Sequence, residues 1–240
     1  MQKLVALHAQ EHKDLKINTD LIDAIGAHER MIPVVMSEFV KLSVQYPIVF
    51  TKNIDTGQFV LVVLLGFDNG ENLFWQKDHW DAIYVPLNIS RQPFFIGADA
   101  ETKQHLICID VGSPCISLEQ GETIYDADGN ESDYMNTIRQ RLSTLFTGEQ
   151  EAAQFIEVLT KLQLMVPLSL EITFADDSKH QVQGVYTIDE EKLQALDKAT
   201  IGELHVSNYL RPIYTMINSL SHIYGLIQRK NQRISGAETP

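Results

Sequence analysis

The chain has 240 residues, 44% of them hydrophobic and 21% charged, enough apolar material for a sizeable core and too much for a disordered segment. Its formal net charge of -13 argues against a nucleic-acid binder, which needs clustered Lys and Arg, and against docking to an anionic membrane. A single domain over 1–234 is expected, open to division into lobes of about 1–130 and 131–234, with a flexible tail at 235–240.

The first residues, Met1 to His8, lack a long apolar run and a small-residue cleavage site, and charge returns at Glu11, Lys13 and Asp14. A cytoplasmic protein is therefore expected. His8-Ala9-Gln10-Glu11-His12 spells H-x-x-E-H, the string in which two histidines on one helical face hold zinc and the glutamate acts as base. A β-like segment follows at once and no third ligand is identifiable, so no metal is expected and His12 reads as a hydrogen-bonded structural histidine.

A short helix is expected over 37–46, with Ser37 as its cap and Glu38 in its first turn, ending at Pro47. Strands follow over 47–52 and 58–67, joined by Asn53-Ile54-Asp55-Thr56-Gly57. The unbroken apolarity of Phe59 to Leu65 predicts burial on both faces and hence a central strand. The run from Phe59 to Phe67 is about half of the roughly 20 residues that cross a membrane, so no membrane span is expected. After the turn Asp68-Asn69-Gly70 come aromatic-rich pieces near Leu73 to Gln76 and Ile83 to Pro86, then a strand over 105–111. That strand holds Cys108, read as an inert buried thiol; Cys108 and Cys115 are the only cysteines, too few for a secreted disulfide scaffold.

Asp126-Ala127-Asp128-Gly129-Asn130 matches the first ligand positions of a calcium loop, but Glu131 stands where that loop needs glycine and Thr137 where it needs a bidentate acid. A tight turn leading into a helix is the reading adopted. Helices are expected over 134–146 and 149–163, separated by Thr147-Gly148, with Phe155, Val158, Leu159 and Leu162 on one face of the second. The strict alternation of 168–175 predicts a half-buried strand pairing with 181–188 across 176–179. Asp189 is placed as the N-cap of a helix over 190–196. Last, Val206, Leu210, Ile213, Ile217, Leu220, Tyr224 and Ile227 recur at helical spacing, with Pro212 setting the helix start near Arg211. That seam packs on the chain's own sheet or, through Ile213, Ile217, Leu220, Tyr224 and Ile227, closes a homodimer. The fold class is α+β, a mainly antiparallel sheet with helices concentrated in the C-terminal half.

No phosphate loop, dinucleotide fingerprint, nucleophile elbow or paired-cysteine motif is present, and no cofactor is expected. The ordered motifs instead carry a family likeness. His12, Pro33, Glu38-Phe39, Tyr46-Pro47-Ile48-Val49-Phe50, Asn72-Leu73-Phe74, Trp80 and Tyr84-Val85-Pro86 follow one another in the succession of the SapC family, named for a surface-layer-associated protein of bacteria. Tyr125-Asp126-Ala127-Asp128-Gly129, Ser219-Leu220, Leu226-Ile227 and Arg229 continue it, so the chain resembles that family from about His12 to Arg229. It departs at Ile89-Ser90-Arg91-Gln92-Pro93-Phe94, where one arginine stands instead of two.

The resemblance implies an accessory or binding protein without an assigned activity, linked to surface-layer or envelope processes and acting through a protein partner. Its alternative is a small-molecule-binding protein or enzyme of halogenase- or oxygenase-type pathways, with a pocket around Arg91. His12, Glu38, Trp80, Tyr84 and Arg91 are the ligand-binding candidates, Arg91 meeting a carboxylate or phosphate and the aromatics stacking on a ring. The bland reading has Glu38 and Arg91 paired and the aromatics filling core.

Overall fold

The computed structural model describes residues 3–99, 102 and 104–237. The fold is α+β, every strand pairing among those residues is antiparallel, and the longest helices lie in the C-terminal half. Two compact units divide the chain: one takes the residues up to Gly26 and Leu87–Thr147, the other Ala27–Pro86 and the residues from Gly148 onward.

The second unit is built on a five-stranded sheet in the order Met165–Pro167, Val185–Ile188, Ile48–Lys52, Phe59–Leu64, Met31–Pro33. Its spine is the predicted hairpin, in register from Ile48 opposite Val63 to Lys52 opposite Phe59. The hairpin turns where Asn53 Oδ1 accepts from the backbone N–H groups of Asp55 and Thr56 and Gly57 takes a positive φ of 68°. Strands flank Val62–Leu64 from both sides, and Leu61 to Leu65 are buried, as an unbroken apolar run requires.

The helix Leu210–Ser219 packs on this sheet and starts near the predicted point, with Pro212 in its first turn. The buried Ser219 hydroxyl donates to Met216 O at 2.7 Å and accepts from Ile48 N at 2.9 Å, so the first residue of the strand is capped by a helix. Asp189 accepts from Lys192 N and caps Glu190–Gln194, as its position before an acidic first turn predicts.

Four expectations are corrected. First, the strand expected over 181–188 is divided: Lys179–Val182 pairs with Leu170–Thr173 in the expected hairpin, while Val185–Ile188 joins the main sheet beside Met165–Pro167, a strand that precedes the expected 168–175. Gly184, at φ 76°, turns the chain between the two roles. Second, a single helix of 29 residues, Asp133–Lys161, replaces the two separated by Thr147-Gly148. Gly148 does not break it; a Cβ there would lie 2.6 Å from Val35 Cβ, so glycine marks a close approach and not a loop.

Third, the C-terminal seam is not one helix. Asn208, at φ 59°, breaks it before Leu210–Ser219, and Leu220-Ser221 separate that from His222–Ala237. Each break resets the helical phase, so the buried line is Ile213, Met216, Ser219, Ile223 and Leu226, whereas Val206 is 80% and Tyr224 74% exposed. Ile213, named for a homodimer seam, is fully covered within the chain. Fourth, 37–46 is a 3-10 turn Met36–Glu38 followed by Phe39–Leu42, and its N-cap is Val35, not Ser37. The final helix continues through Ala237; of the tail expected at 235–240, residues 238–240 lie outside the described residues.

The first unit holds a three-stranded sheet in the order Leu4–Ala6, His105–Asp110, Phe94–Ala98, and a smaller one in which Lys16–Ile17 pairs with Ile116–Ser117 and Glu122–Thr123. The turn at Asp126 forms as predicted: its Oδ1 accepts from Asp128 N and Asn130 N, and Gly129 takes φ 85°. Ser132 Oγ then accepts from Met135 N at the start of the long helix.

Candidate functional site

In the second unit the motif residues meet. Tyr84 donates from its hydroxyl to Glu38 Oε1 at 3.0 Å, while Glu38 Oε2 accepts from Val35 N at 3.2 Å. Trp80 Nε1 donates to the Tyr46 hydroxyl at 2.9 Å, and that hydroxyl donates in turn to Tyr84 O at 2.6 Å. Glu38, Tyr46 and Trp80 are buried, and Phe74 packs on Tyr46 with ring centroids 4.6 Å apart. A buried carboxylate is tolerated where donors satisfy it, and here a phenol and a backbone amide do.

A basic stripe on His222–Ala237 fastens the adjoining loop. Arg229 pairs with Asp81 at 2.7 Å and lies over the Phe74 ring at 4.5 Å, Lys230 pairs with Asp68 at 2.7 Å and Glu71 at 2.6 Å, and Arg233 donates to Trp75 O at 2.6 Å. The hydrogen bond from Lys230 holds the Asp68 carboxyl below its usual range, with further help from the Lys230 charge. Burial draws Lys230 down, but its bonds to Asp68 and Glu71 outweigh that and raise it. Asp68 and Asp81 are about half open to water, so their pairs orient the loop more than they stabilise it, whereas Lys230 and Glu71 meet largely out of water.

Of the candidates read from the sequence, Glu38, Trp80 and Tyr84 are therefore gathered into one network, with Tyr46 as its hub. His12 and Arg91 belong to the first unit. His12 ends the single turn Ala9–His12, its Nδ1 lying 3.0 Å from His8 N and 3.1 Å from His8 O, which ties the ring to its own turn. Among the described residues no three His, Cys, Asp or Glu side chains gather around a point where a metal would sit. Arg91 donates to Asn88 Oδ1 at 3.1 Å and to Phe94 O, and its guanidinium stacks on Phe95 at 4.2 Å, gripping the bend around Pro93.

The first unit also contains a cavity of about 370 Å³, between its three-stranded sheet, chiefly the central strand His105–Asp110, and the 139–146 stretch of the long helix. Leu7, Ile96, Leu106, Ile107, Leu142 and Phe146 form its apolar lining, and of these only Leu142 is fully buried. His105, Tyr125, Glu131, Arg139 and Ser143 supply the polar groups. Arg139 donates to Glu131 from Nε at 3.0 Å and also from Nη2, and the His105 ring meets Phe146 at 4.5 Å. A second, larger hollow of about 570 Å³ lies in the other unit beside Met36, Phe39, Gln154, Tyr209 and Arg211. Glu38, Tyr46, Trp80 and Tyr84 line neither.

The model of one protein family, SapC, matches residues 7–226. The chain belongs to the SapC family. Comparison with curated proteins finds no match, and comparison with solved structures finds none either. The SapC motifs read along this chain thus divide by location: Glu38, Tyr46, Trp80 and Tyr84 interlock in one unit, while Tyr125 turns toward the cavity of the other.

Sequence reasoning missed that cavity. Arg139, Leu142, Ser143 and Phe146 stand at helical positions i, i+3, i+4 and i+7, one face of the long helix, which was a legible sign of a shared lining. What was not legible is that the strands opposite leave that face partly open. Tyr46 was read only as a motif position, because nothing in its neighbours shows that two other motif residues bond to its hydroxyl.

Proposed function

We propose that this SapC-family chain is a non-catalytic binding protein with an accessory role, acting by holding a companion molecule and not by transforming one. The reading is supported by a single arrangement: the polar motif side chains Glu38, Tyr46, Trp80 and Tyr84 point their hydrogen-bonding atoms at one another, while the two cavities described above are lined by other residues. Groups that act on a substrate must reach a site where its atoms can sit. Here the motif network serves as a lock that keeps the second unit in shape. The companion includes, in this proposal, a protein partner in the cytoplasm, and the family name sets that role beside surface-layer or envelope processes.

Native mass spectrometry on protein purified gently from its own host tests this. A stoichiometric companion is expected, retained equally by Glu38→Gln once that variant is held below its melting temperature. Protein that arrives at the bare mass of the chain would sink the proposal. So would a folded Glu38→Gln variant that has lost the companion, since the network would then be a working site.

A further inference from the structure

Tyr125 is only 9% exposed, yet its hydroxyl, on the wall of the first unit's cavity, makes no hydrogen bond to protein among the described residues. The ring is covered while the hydroxyl lines the open cavity, so it is available to a guest. Arg139 is in a related condition. Glu131 occupies its Nε and Nη2, which fixes the plane of the guanidinium, and Nη1 carries no protein partner among the described residues. A guanidinium has five N–H donors in a rigid fork, so an edge is left for a second acceptor.

The polar members of the lining are therefore rich in donors, Tyr125, Arg139 and Ser143, and their one carboxylate, Glu131, is already engaged. The floor is the reverse: Leu106, Ile107 and Phe146 are apolar and half-open. Uncovered apolar walls with a few converging polar groups, at a volume within the roughly 300–1,000 Å³ of small-molecule sites, describe a ligand pocket.

We propose that this cavity takes a small organic acid, its carboxylate on Arg139 and the Tyr125 hydroxyl, its aryl or branched-alkyl body on Leu106, Ile107 and Phe146. The inference rests on the binding-protein reading and names the class of one companion. Two carboxylates sharing a guanidinium repel each other, but the pair is open to water, where such repulsion is small and screened. Burial, reinforced by the Glu131 charge, pushes the Tyr125 phenol up, so it remains a donor at neutral pH.

Titration of the full chain with 4-phenylbutyrate and with its uncharged amide, followed by calorimetry, tests the assignment. The acid is expected to bind about tenfold more tightly than the amide, the margin of a charge-assisted over a neutral hydrogen bond. Arg139→Gln should bring the acid to the amide's level without moving the amide, Tyr125→Phe should weaken both, and Arg91→Gln should change neither. Equal affinities in the parent chain, or a preference for the acid that survives Arg139→Gln, would overturn the head-group assignment; failure of both compounds to bind would overturn the pocket. Host-purified protein separates the two proposals. A retained companion indifferent to Arg139→Gln, with no binding of phenylbutyrate, removes the pocket and leaves the binding-protein reading; bare protein with no binding removes both.

Discussion

The two units treat the same residue type in opposite ways. In the second, Tyr46 is fully buried and its hydroxyl both accepts, from Trp80, and donates, to Tyr84 O. In the first, Tyr125 is nearly as buried and its hydroxyl has no protein partner among the described residues. The difference separates polar groups that hold a fold from polar groups that wait for something. Satisfied networks rigidify and specify a unique core, whereas a donor facing an open cavity can bond to water until a guest replaces it.

The largest expected effect comes from opening the network at its hub. Tyr46→Phe leaves the Trp80 indole N–H and the Tyr84 carbonyl without their partner in a buried setting, which costs about 3 kcal/mol at roughly 1–3 kcal/mol for each stranded group. Urea unfolding at neutral pH reads this out, and a loss below about 1 kcal/mol would mean the network is not what holds the second unit. Ser219→Ala is the milder version. It removes the cap on Ile48 N and should cost about 1–2 kcal/mol by the same measurement.

Gly148→Ala probes packing in place of hydrogen bonding. Alanine gains about 1 kcal/mol of helix propensity, but its Cβ would stand 2.6 Å from Val35 Cβ, an atom fixed to the backbone and unable to swing aside. A net loss of about 1 kcal/mol is expected, and pairing it with Val35→Gly, which removes the opposing Cβ, should be less than additive because the second change makes room for the first. A stabilised Gly148→Ala would show that the contact is loose.

These positions also show how far the sequence could be read. Alternation and apolar runs revealed the hairpin Ile48–Lys52 with Phe59–Leu64, because burial on one or both faces writes itself directly into residue order. Asp189 and the Asp126 turn were legible for the same reason, their partners lying within a few residues. Gly148 was misread because a glycine needed for a tertiary approach looks identical to one that ends a helix. The seam from Val206 to Ile227 kept its helical spacing on paper, but Asn208 at φ 59° and the Leu220-Ser221 break rotate its parts out of phase. Glu38, Trp80 and Tyr84 could be named from their motifs; that Tyr46 joins them, and that Tyr125 faces an open cavity, are facts of tertiary geometry with no local trace.

A charge pair on the second unit gives a smaller, pH-dependent effect. Asp68 has a folded value below its unfolded one of 3.8, so its contribution is complete above that pH and is lost as the pH falls through the folded value. Lys230 is raised, so its contribution is complete below its unfolded value of 10.5 and is lost as the pH rises through the folded one. Asp68→Asn should therefore flatten the acid end of the stability profile while changing mid-range stability by less than about 1 kcal/mol, since Asp68 is more than half exposed and Lys230 keeps its bond to Glu71. An acid limb as steep in the variant as in the parent would separate Asp68 from Lys230.

The smallest effect is the most pointed, because it repeats the Tyr46 substitution where no bond is lost. Tyr125→Phe removes a hydroxyl that no protein group is using, so at pH 7 the stability should stay within about 0.5 kcal/mol of the parent. The two chains should diverge only in alkali. Burial first, then the Glu131 charge, raise the folded phenol above its unfolded value of 10.0, with Arg139 opposing. As the pH climbs past 10.0 the unfolded parent ionises while the folded one resists, so the unfolded state gains and the parent loses stability that the phenylalanine chain keeps. Adding 4-phenylbutyrate at pH 7 should then raise the parent's melting temperature more than the variant's, because only the parent can complete the hydroxyl's bond through the guest. If Tyr125→Phe instead costs as much as Tyr46→Phe, the hydroxyl has a structural partner and the contrast between the two units collapses.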